Sequence, residues 1–214
     1  MHKILNNLIL INKELSAINT NAKIIAVSKT FPINHIKPLI DYGHVDYGEN
    51  KVQEASEKWT EVKEKNNNIK LHLIGKLQTN KVKYCLPLFD YIHSLDSLKL
   101  ADKIANEQIK KNFKPKIFIQ INVGDETQKN GVSINEFDSF YNKIMNDFEL
   151  DVLGLMCIPP YVQDSKMYFE KMIKLKNKTK LSDLSMGMSN DYLDAAKSSA
   201  SYLRIGSKIF GQRG

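Results

Sequence analysis

Ile24-Ile25-Ala26-Val27-Ser28-Lys29-Thr30-Phe31-Pro32 is the stretch on which the architecture turns. Its first four residues form an unbroken apolar run, as a buried strand requires. A dinucleotide-binding fold would follow that strand with G-x-G-x-x-G, whereas this chain has Ser28-Lys29-Thr30-Phe31-Pro32. Outward from here, β-rich apolar runs recur at residues 45–47, 71–74, 91–92, 117–123, 152–156, 184–186 and 202–205. Amphipathic stretches lie between them. One carries Val52, Ala55, Trp59 and Val62, and another Leu100, Ala101, Ile104, Ala105 and Ile109. A third opens on the capping box Ser133-Ile134-Asn135-Glu136 and continues through Phe137, Phe140, Tyr141 and Ile144. An N-terminal helix with Ile4, Leu8, Ile11, Leu15 and Ile18 precedes the first strand. Strands that alternate with helices call for a parallel sheet. Eight such units favour a closed α/β architecture, a single-domain (β/α)8 TIM barrel over residues 1–214, with an open Rossmann-like sheet as the alternative.

The bulk composition narrows the function classes. Hydrophobic residues make up 42% of the 214, close to the usual globular share. No run approaches the ~18–20 apolar residues of a membrane span. Asn6 and Asn7 interrupt the apolar N-terminus and no small-residue cleavage site follows, so no signal peptide is expected. Cys85 and Cys157 are isolated, which suits a reducing cytoplasm and offers no metal-ligand spacing. The net charge of +7 admits a nucleic acid or an acidic ligand, or reflects solvation alone. Its one concentration, residues 166–180, interleaves lysines with Tyr168, Met172, Ile173 and Leu175, as the solvated outer helix of a globular protein would.

In a (β/α)8 barrel the site lies at the C-terminal ends of the strands. Lys29 follows the first, Gly48-Glu49-Asn50 the second, Gly75-Lys76 the third, and His93-Ser94 the fourth. The fifth ends at Asn122, the sixth at Met156-Cys157, and the seventh leads to Gly187-Met188-Ser189. The eighth supplies Arg204, Gly206 and Ser207. A lysine ending a buried strand loses hydration, which frees its amine to attack a carbonyl, although most lysines only solvate a surface. Arg204-Ile205-Gly206-Ser207 leads into a terminal helix, and the loops after the last two strands are the usual phosphate site of such barrels. Ser189 and Ser207 can equally be N-caps. The histidines show no metal spacing, and His93 reads as a core or loop residue. Glu49 and the pair Asp125-Glu126 could be acids or bases, with nothing to set them apart from other loop acids.

Taken in order, Ala26-Val27-Ser28-Lys29-Thr30, Tyr47-Gly48-Glu49-Asn50-Lys51-Val52-Gln53-Glu54 and Ile74-Gly75-Lys76-Leu77-Gln78-Thr79-Asn80-Lys81 form a run of motifs. It continues through Gly154-Leu155-Met156, Leu184-Ser185-Met186-Gly187-Met188-Ser189, Arg204-Ile205-Gly206-Ser207 and Ile209-Phe210-Gly211. In this order they resemble the pyridoxal phosphate homeostasis protein family, also called YggS-like or proline synthase co-transcribed. The resemblance implies a barrel like the N-terminal domain of alanine racemase, without that enzyme's C-terminal β-domain, binding pyridoxal 5′-phosphate. Lys29 resembles the lysine that holds the cofactor as a Schiff base, and Asn50 a residue lining its face. Arg204 resembles the arginine facing the pyridine nitrogen, and Ser189, Gly206 and Ser207 resemble phosphate-binding positions. Where the family usually has threonine, Ser207 keeps the hydroxyl.

A fixed positive charge at Arg204 would disfavour protonation of the ring and so discourage carbanion chemistry. No second domain is expected after residue 214 to supply the opposing acid a racemase needs. The expectation is a non-catalytic, cytoplasmic, monomeric binder that buffers the cofactor or passes it to apo-enzymes, with no nucleic acid and no membrane as partner. A weak single-domain racemase is the alternative. A nucleic-acid binder driven by charge, with steeply salt-dependent association, ranks behind both.

Overall fold

The computed structural model describes residues 2–18, 20–126, 128–160 and 164–212. Its strands are β1 (Lys23–Val27), β2 (Asp46–Glu49), β3 (Lys70–Leu73), β4 (Tyr91–Leu95), β5 (Lys116–Asn122), β6 (Val132–Ser133), β7 (Asp151–Cys157), β8 (Asp183–Ser185) and β9 (Tyr202–Ile205). All pair in parallel in the order β4-β3-β2-β1-β9-β8-β7-β5, and β4 pairs with β5 to close eight strands into a barrel. That closure removes the open-sheet alternative. The two residues of β6 add only a short pairing to β5, through Ile121–Val132 and Asn122–Ser133.

The helices are α1 (Lys3–Ala17), α2 (Ile33–Asp41), α3 (Val52–Lys65), α4 (Val82–Cys85), α5 (Leu98–Lys111), α6 (Phe137–Asp147), α7 (Lys166–Asn177), α8 (Tyr192–Lys197) and α9 (Ser207–Phe210). The Ser133–Glu136 box forms its hydrogen bonds: Ser133 Oγ lies 2.7 Å from Glu136 Oε2 and accepts from the Glu136 N–H at 3.3 Å. Its place differs from the expectation, because Ser133 sits in β6 and α6 begins at Phe137. The box closes the turn between them instead of capping the helix.

Alternation along each strand divides the core in two. On β9, Leu203 and Ile205 face the helices, while Tyr202 and Arg204 point into the barrel. Ile25, Tyr91, Phe118, Met156 and Tyr202 fill the interior as one apolar cluster. A much larger layer between strands and helices includes Trp59 at 0% exposure. β4 runs longer than expected, so His93 and Ser94 are buried within the strand and do not lie beyond its end. Among the described residues no helix is long and apolar enough to cross a membrane, and no cluster of His, Cys, Asp or Glu could hold a metal ion.

Candidate functional site

A cleft of about 940 Å³ opens at the C-terminal ends of the strands. All six residues singled out from the sequence line it: Lys29, Asn50, Ser189, Arg204, Gly206 and Ser207. β1 and β9 are neighbours in the barrel, with Ile25 opposite Arg204. The loop that carries Lys29 therefore rises beside the strand that carries the arginine. Lys76 reaches Asn130 Oδ1 at 2.8 Å, and both line the cleft, as does Lys129.

The Lys29 loop is held from behind. Thr30 has a left-handed backbone, φ 70°, which a β-branched residue adopts only under constraint. The constraint is a set of polar contacts to β2 and α3. Ser28 Oγ donates to Glu49 Oε1 at 2.7 Å, and the Thr30 N–H donates to Glu54 Oε1 at 2.6 Å. Lys58 Nζ donates to the Ser28 carbonyl at 3.0 Å, to Glu49 at 3.0 Å and to Glu54 at 3.2 Å, a bond for each of its three protons. Trp59 Nε1 donates to Glu49 Oε1 at 2.9 Å. Burial pushes the Glu54 carboxyl up, but the Thr30 amide and the Lys58 ammonium outweigh it and hold it below 4.5. Glu49 is thus not a cleft acid or base. It lies fully buried on the helix side of β2, as a support.

Arg204 is 4% exposed. Its guanidinium donates to Ser185 Oγ at 2.8 Å and to the Cys157 carbonyl at 2.7 Å. Burial lowers its pKa, with Cys157 and Asp191 acting in the opposite sense; a guanidinium nevertheless stays charged in a protein. Met156 packs inside the barrel, and the Cys157 thiol, pushed up to about 12 by burial, belongs to the outer core. The atom of Cys157 that accepts a hydrogen bond from the arginine is its backbone oxygen.

The far end of the cleft is built from backbone. Ser189 Oγ accepts from the Gly206 N–H at 3.3 Å and the Lys208 N–H at 3.2 Å, joining the loop after β8 to α9. Ser207 opens that helix and is exposed. The helix is anchored below by buried Ile209 and Phe210, by Asn7 Nδ2 donating to the Ile209 carbonyl at 2.9 Å, and by Phe210 stacking on Phe31 at 5.1 Å. Glycine at 206 is not forced by packing, since an added Cβ would meet only Val27, at 3.4 Å or more. Gly75 is forced: a Cβ there would lie 2.3 Å from the Asn50 carbonyl oxygen. Asp125 and Glu126 fall outside the lining, and Glu126 pairs with Lys129 at 2.6 Å.

Sequence reading passed over Glu54, Lys58 and Trp59 because they lie on a helix that contributes nothing to the mouth itself. Glu54 stood in the motif quoted with Glu49, and Trp59 in the amphipathic stretch that follows it, but nothing in the spacing set Lys58 apart.

Residues 2–214 match the family described as alanine racemase, N-terminal domain. The pyridoxal phosphate homeostasis protein of Aquifex aeolicus (strain VF5) is 38% identical over 201 residues, covering 90% of this chain and 87% of that protein. The chain belongs to the pyridoxal phosphate homeostasis protein family. The relative of that name in Escherichia coli (strain K12) is 33% identical over 230 residues, covering 100% of this chain and 98% of its own. Among solved structures, PipY of Synechococcus elongatus PCC7942, with PLP bound, has a TM-score of 0.83 at 28% identity, covering 93% of this chain and 99% of PipY. The homeostasis family thus shares its barrel with the racemase domain, and the cleft described above is the feature to interpret within it.

Proposed function

We propose that this protein binds pyridoxal 5′-phosphate in the cleft and serves intracellular homeostasis of that cofactor without turning over a substrate. The observation that carries the reading is the convergence of Lys29 and the buried Arg204 guanidinium, from adjacent strands, on one cleft. The donor set fits the group: an amine, a buried cation, an amide at Asn50, and backbone N–H groups with two hydroxyls at the far end. The volume also lies within the ~300–1,000 Å³ of small-molecule sites. The relatives' name and the PLP bound to PipY support the same conclusion.

Bound there, the cofactor supplies an aldehyde that a primary amine captures reversibly. Lys29 is the amine for covalent attachment, set by the Ser28 and Thr30 contacts. Arg204 would face the ring nitrogen and disfavour its protonation, because a proton there would meet a fixed cation. Asn50 lines the ring. Ser189 and Ser207 would hold the phosphate through their hydroxyls, with the Ser207 N–H at the start of α9, while Gly206, whose N–H is engaged by Ser189 Oγ, would let the backbone approach it. An unprotonated ring withdraws electrons weakly, so these residues favour capture and release over chemistry at an amino acid's Cα. The rest of the reading is a cytoplasmic, monomeric, one-domain protein that hands the cofactor to apo-enzymes.

The test is incubation of the loaded protein with L-alanine in deuterated water. Slow or absent exchange at Cα, with cofactor appearing on an added apo-transaminase, is the expected result. Exchange with formation of D-alanine at the ordinary ~1–10³ s⁻¹ of enzymes would replace the carrier with a racemase.

A further inference from the structure

Beneath the cleft, the barrel interior holds a chain of polar side chains. Asp46 begins β2, His72 lies on β3, His93 on β4, Ser185 ends β8 and Arg204 is on β9. They join end to end. Asp46 Oδ1 meets His72 Nε2 at 2.9 Å, His72 Nδ1 meets His93 Nε2 at 3.0 Å, His93 Nδ1 meets Ser185 Oγ at 2.9 Å, and Ser185 Oγ meets the Arg204 guanidinium at 2.8 Å. His72, His93 and Ser185 are fully buried.

The donor inventory gives this chain a direction. Arg204 can only donate. Ser185 accepts that bond and donates its own O–H to His93 Nδ1. His93 then carries its hydrogen on Nε2 and donates to His72 Nδ1. His72 carries its hydrogen on Nε2 and donates to Asp46. The reverse order would set a bare His72 nitrogen against a carboxylate oxygen unless His72 took a second proton. Burial opposes that proton, and it also holds His93 neutral, helped by His72 and Arg204. The Asp46 carboxyl is pushed up by burial but held below its ordinary range by the His72 bond, with His44 and Lys23 nearby. Tyr91 stacks on His72 at 4.1 Å and Phe118 on His93 at 4.4 Å, which fixes both imidazole planes. Tyr202 packs beside both histidines, Asp90 acts on His72 through space, and Cys157 and Asp191 act on Arg204.

We propose that Asp46, His72, His93 and Ser185 are positioning residues for Arg204: a one-way chain of hydrogen bonds tying the cation at the mouth to a carboxylate at the other end of the barrel interior. A buried charge is costly unless compensated, and the side-chain and carbonyl oxygens that touch Arg204 carry no charge. Aligned hydrogen bonds polarise one another, so the carboxylate's influence reaches the guanidinium through two neutral rings. The chain thereby sets both the aim of Arg204 and the charge it presents. The inference rests on the reading that Arg204 faces the cofactor ring.

Two measurements test it. In the unloaded protein, ¹⁵N-labelled histidine should show His72 and His93 as neutral tautomers protonated on Nε2 between about pH 6 and 8. A hydrogen on His93 Nδ1 would overturn the direction of the chain. In the loaded protein, the pH midpoint of the visible absorbance band is compared among wild type, Asp46→Asn, Ser185→Ala and the double variant. Asp46→Asn keeps the shape and the accepting oxygen but removes the charge, leaving the Arg204 field less compensated. Its midpoint should fall by roughly half a unit or more, within the range nearby charges produce. In the Ser185→Ala background the same substitution should produce no further shift, because the link is cut. An unchanged midpoint, or an equal shift with and without Ser185, overturns the proposal. A wild type that gains no band at all would sink the cofactor reading instead, and the tautomers would then decide the chain alone.

Discussion

Ser207 shows how much a single hydroxyl is asked to do. It opens α9 and is exposed at the edge of the cleft. In the proposed phosphate role, removing it would delete one or two charge-assisted hydrogen bonds, each worth ~1.5–3 kcal/mol. Ser207→Ala should lower affinity for pyridoxal phosphate roughly tenfold or more and leave pyridoxal nearly unaffected. Equal losses for both ligands, measured by fluorescence titration, would remove the phosphate role. The lining residues were legible because each lies at or shortly after the C-terminal end of a strand, so counting strands was enough to gather Lys29, Asn50, Ser189, Arg204, Gly206 and Ser207 on one rim. His72 and His93 were not, because their partners sit on β2 and β8, and only barrel closure and register bring those strands within reach. One-dimensional spacing carries no trace of such a meeting.

Elements and the loops between them set the precision of the site. The loop after β3 crosses the loop after β2 so closely that only glycine fits at 75, with backbone and no flexible side chain as the obstacle. Gly75→Ala should push Asn50 out of place, lower the melting temperature and weaken cofactor binding together. Gly43, at φ 92° with open space around it, is the control. Gly43→Ala should cost only the ~1–2 kcal/mol of left-handed strain and leave affinity intact. If both variants bind the cofactor equally well, the crossing does not position Asn50. The eight barrel strands could be read as elements because an apolar run lies on or beside each, although β2 and β8 themselves carry acidic and polar residues. The ends were less legible: β4 extends through polar His93 and Ser94, since an interior lined by hydrogen-bonding partners accepts residues that hydropathy counts as loop. The Ser133 box misplaced the start of α6 for a related reason, as its hydrogen bonds close a tight turn as readily as they cap a helix.

The whole molecule feels its buried histidines through pH. Burial lowers the folded-state pKa of both His72 and His93 from 6.5. Above about pH 6.5 neither the folded nor the unfolded form holds the extra proton. Below it the unfolded chain takes up protons that the folded chain refuses, so stability falls as pH falls, by ~1.4 kcal/mol per pH unit for each histidine until its folded value is reached. Urea unfolding should therefore show lower stability at about pH 5.5 than at about pH 7.5, with His44, whose pKa burial also lowers, acting in the same sense. Equal stability at the two would mean the interior accepts protons freely and the two rings are not held neutral. The central claim is that this barrel exists to hold one reactive aldehyde at Lys29. The most direct measurement is borohydride reduction of the protein loaded with pyridoxal phosphate, followed by peptide mass spectrometry. The pyridoxyl group should appear on Lys29, and Lys29→Ala should lose the visible band. A label found mainly on another lysine, with Lys29→Ala keeping its full band, would contradict that claim.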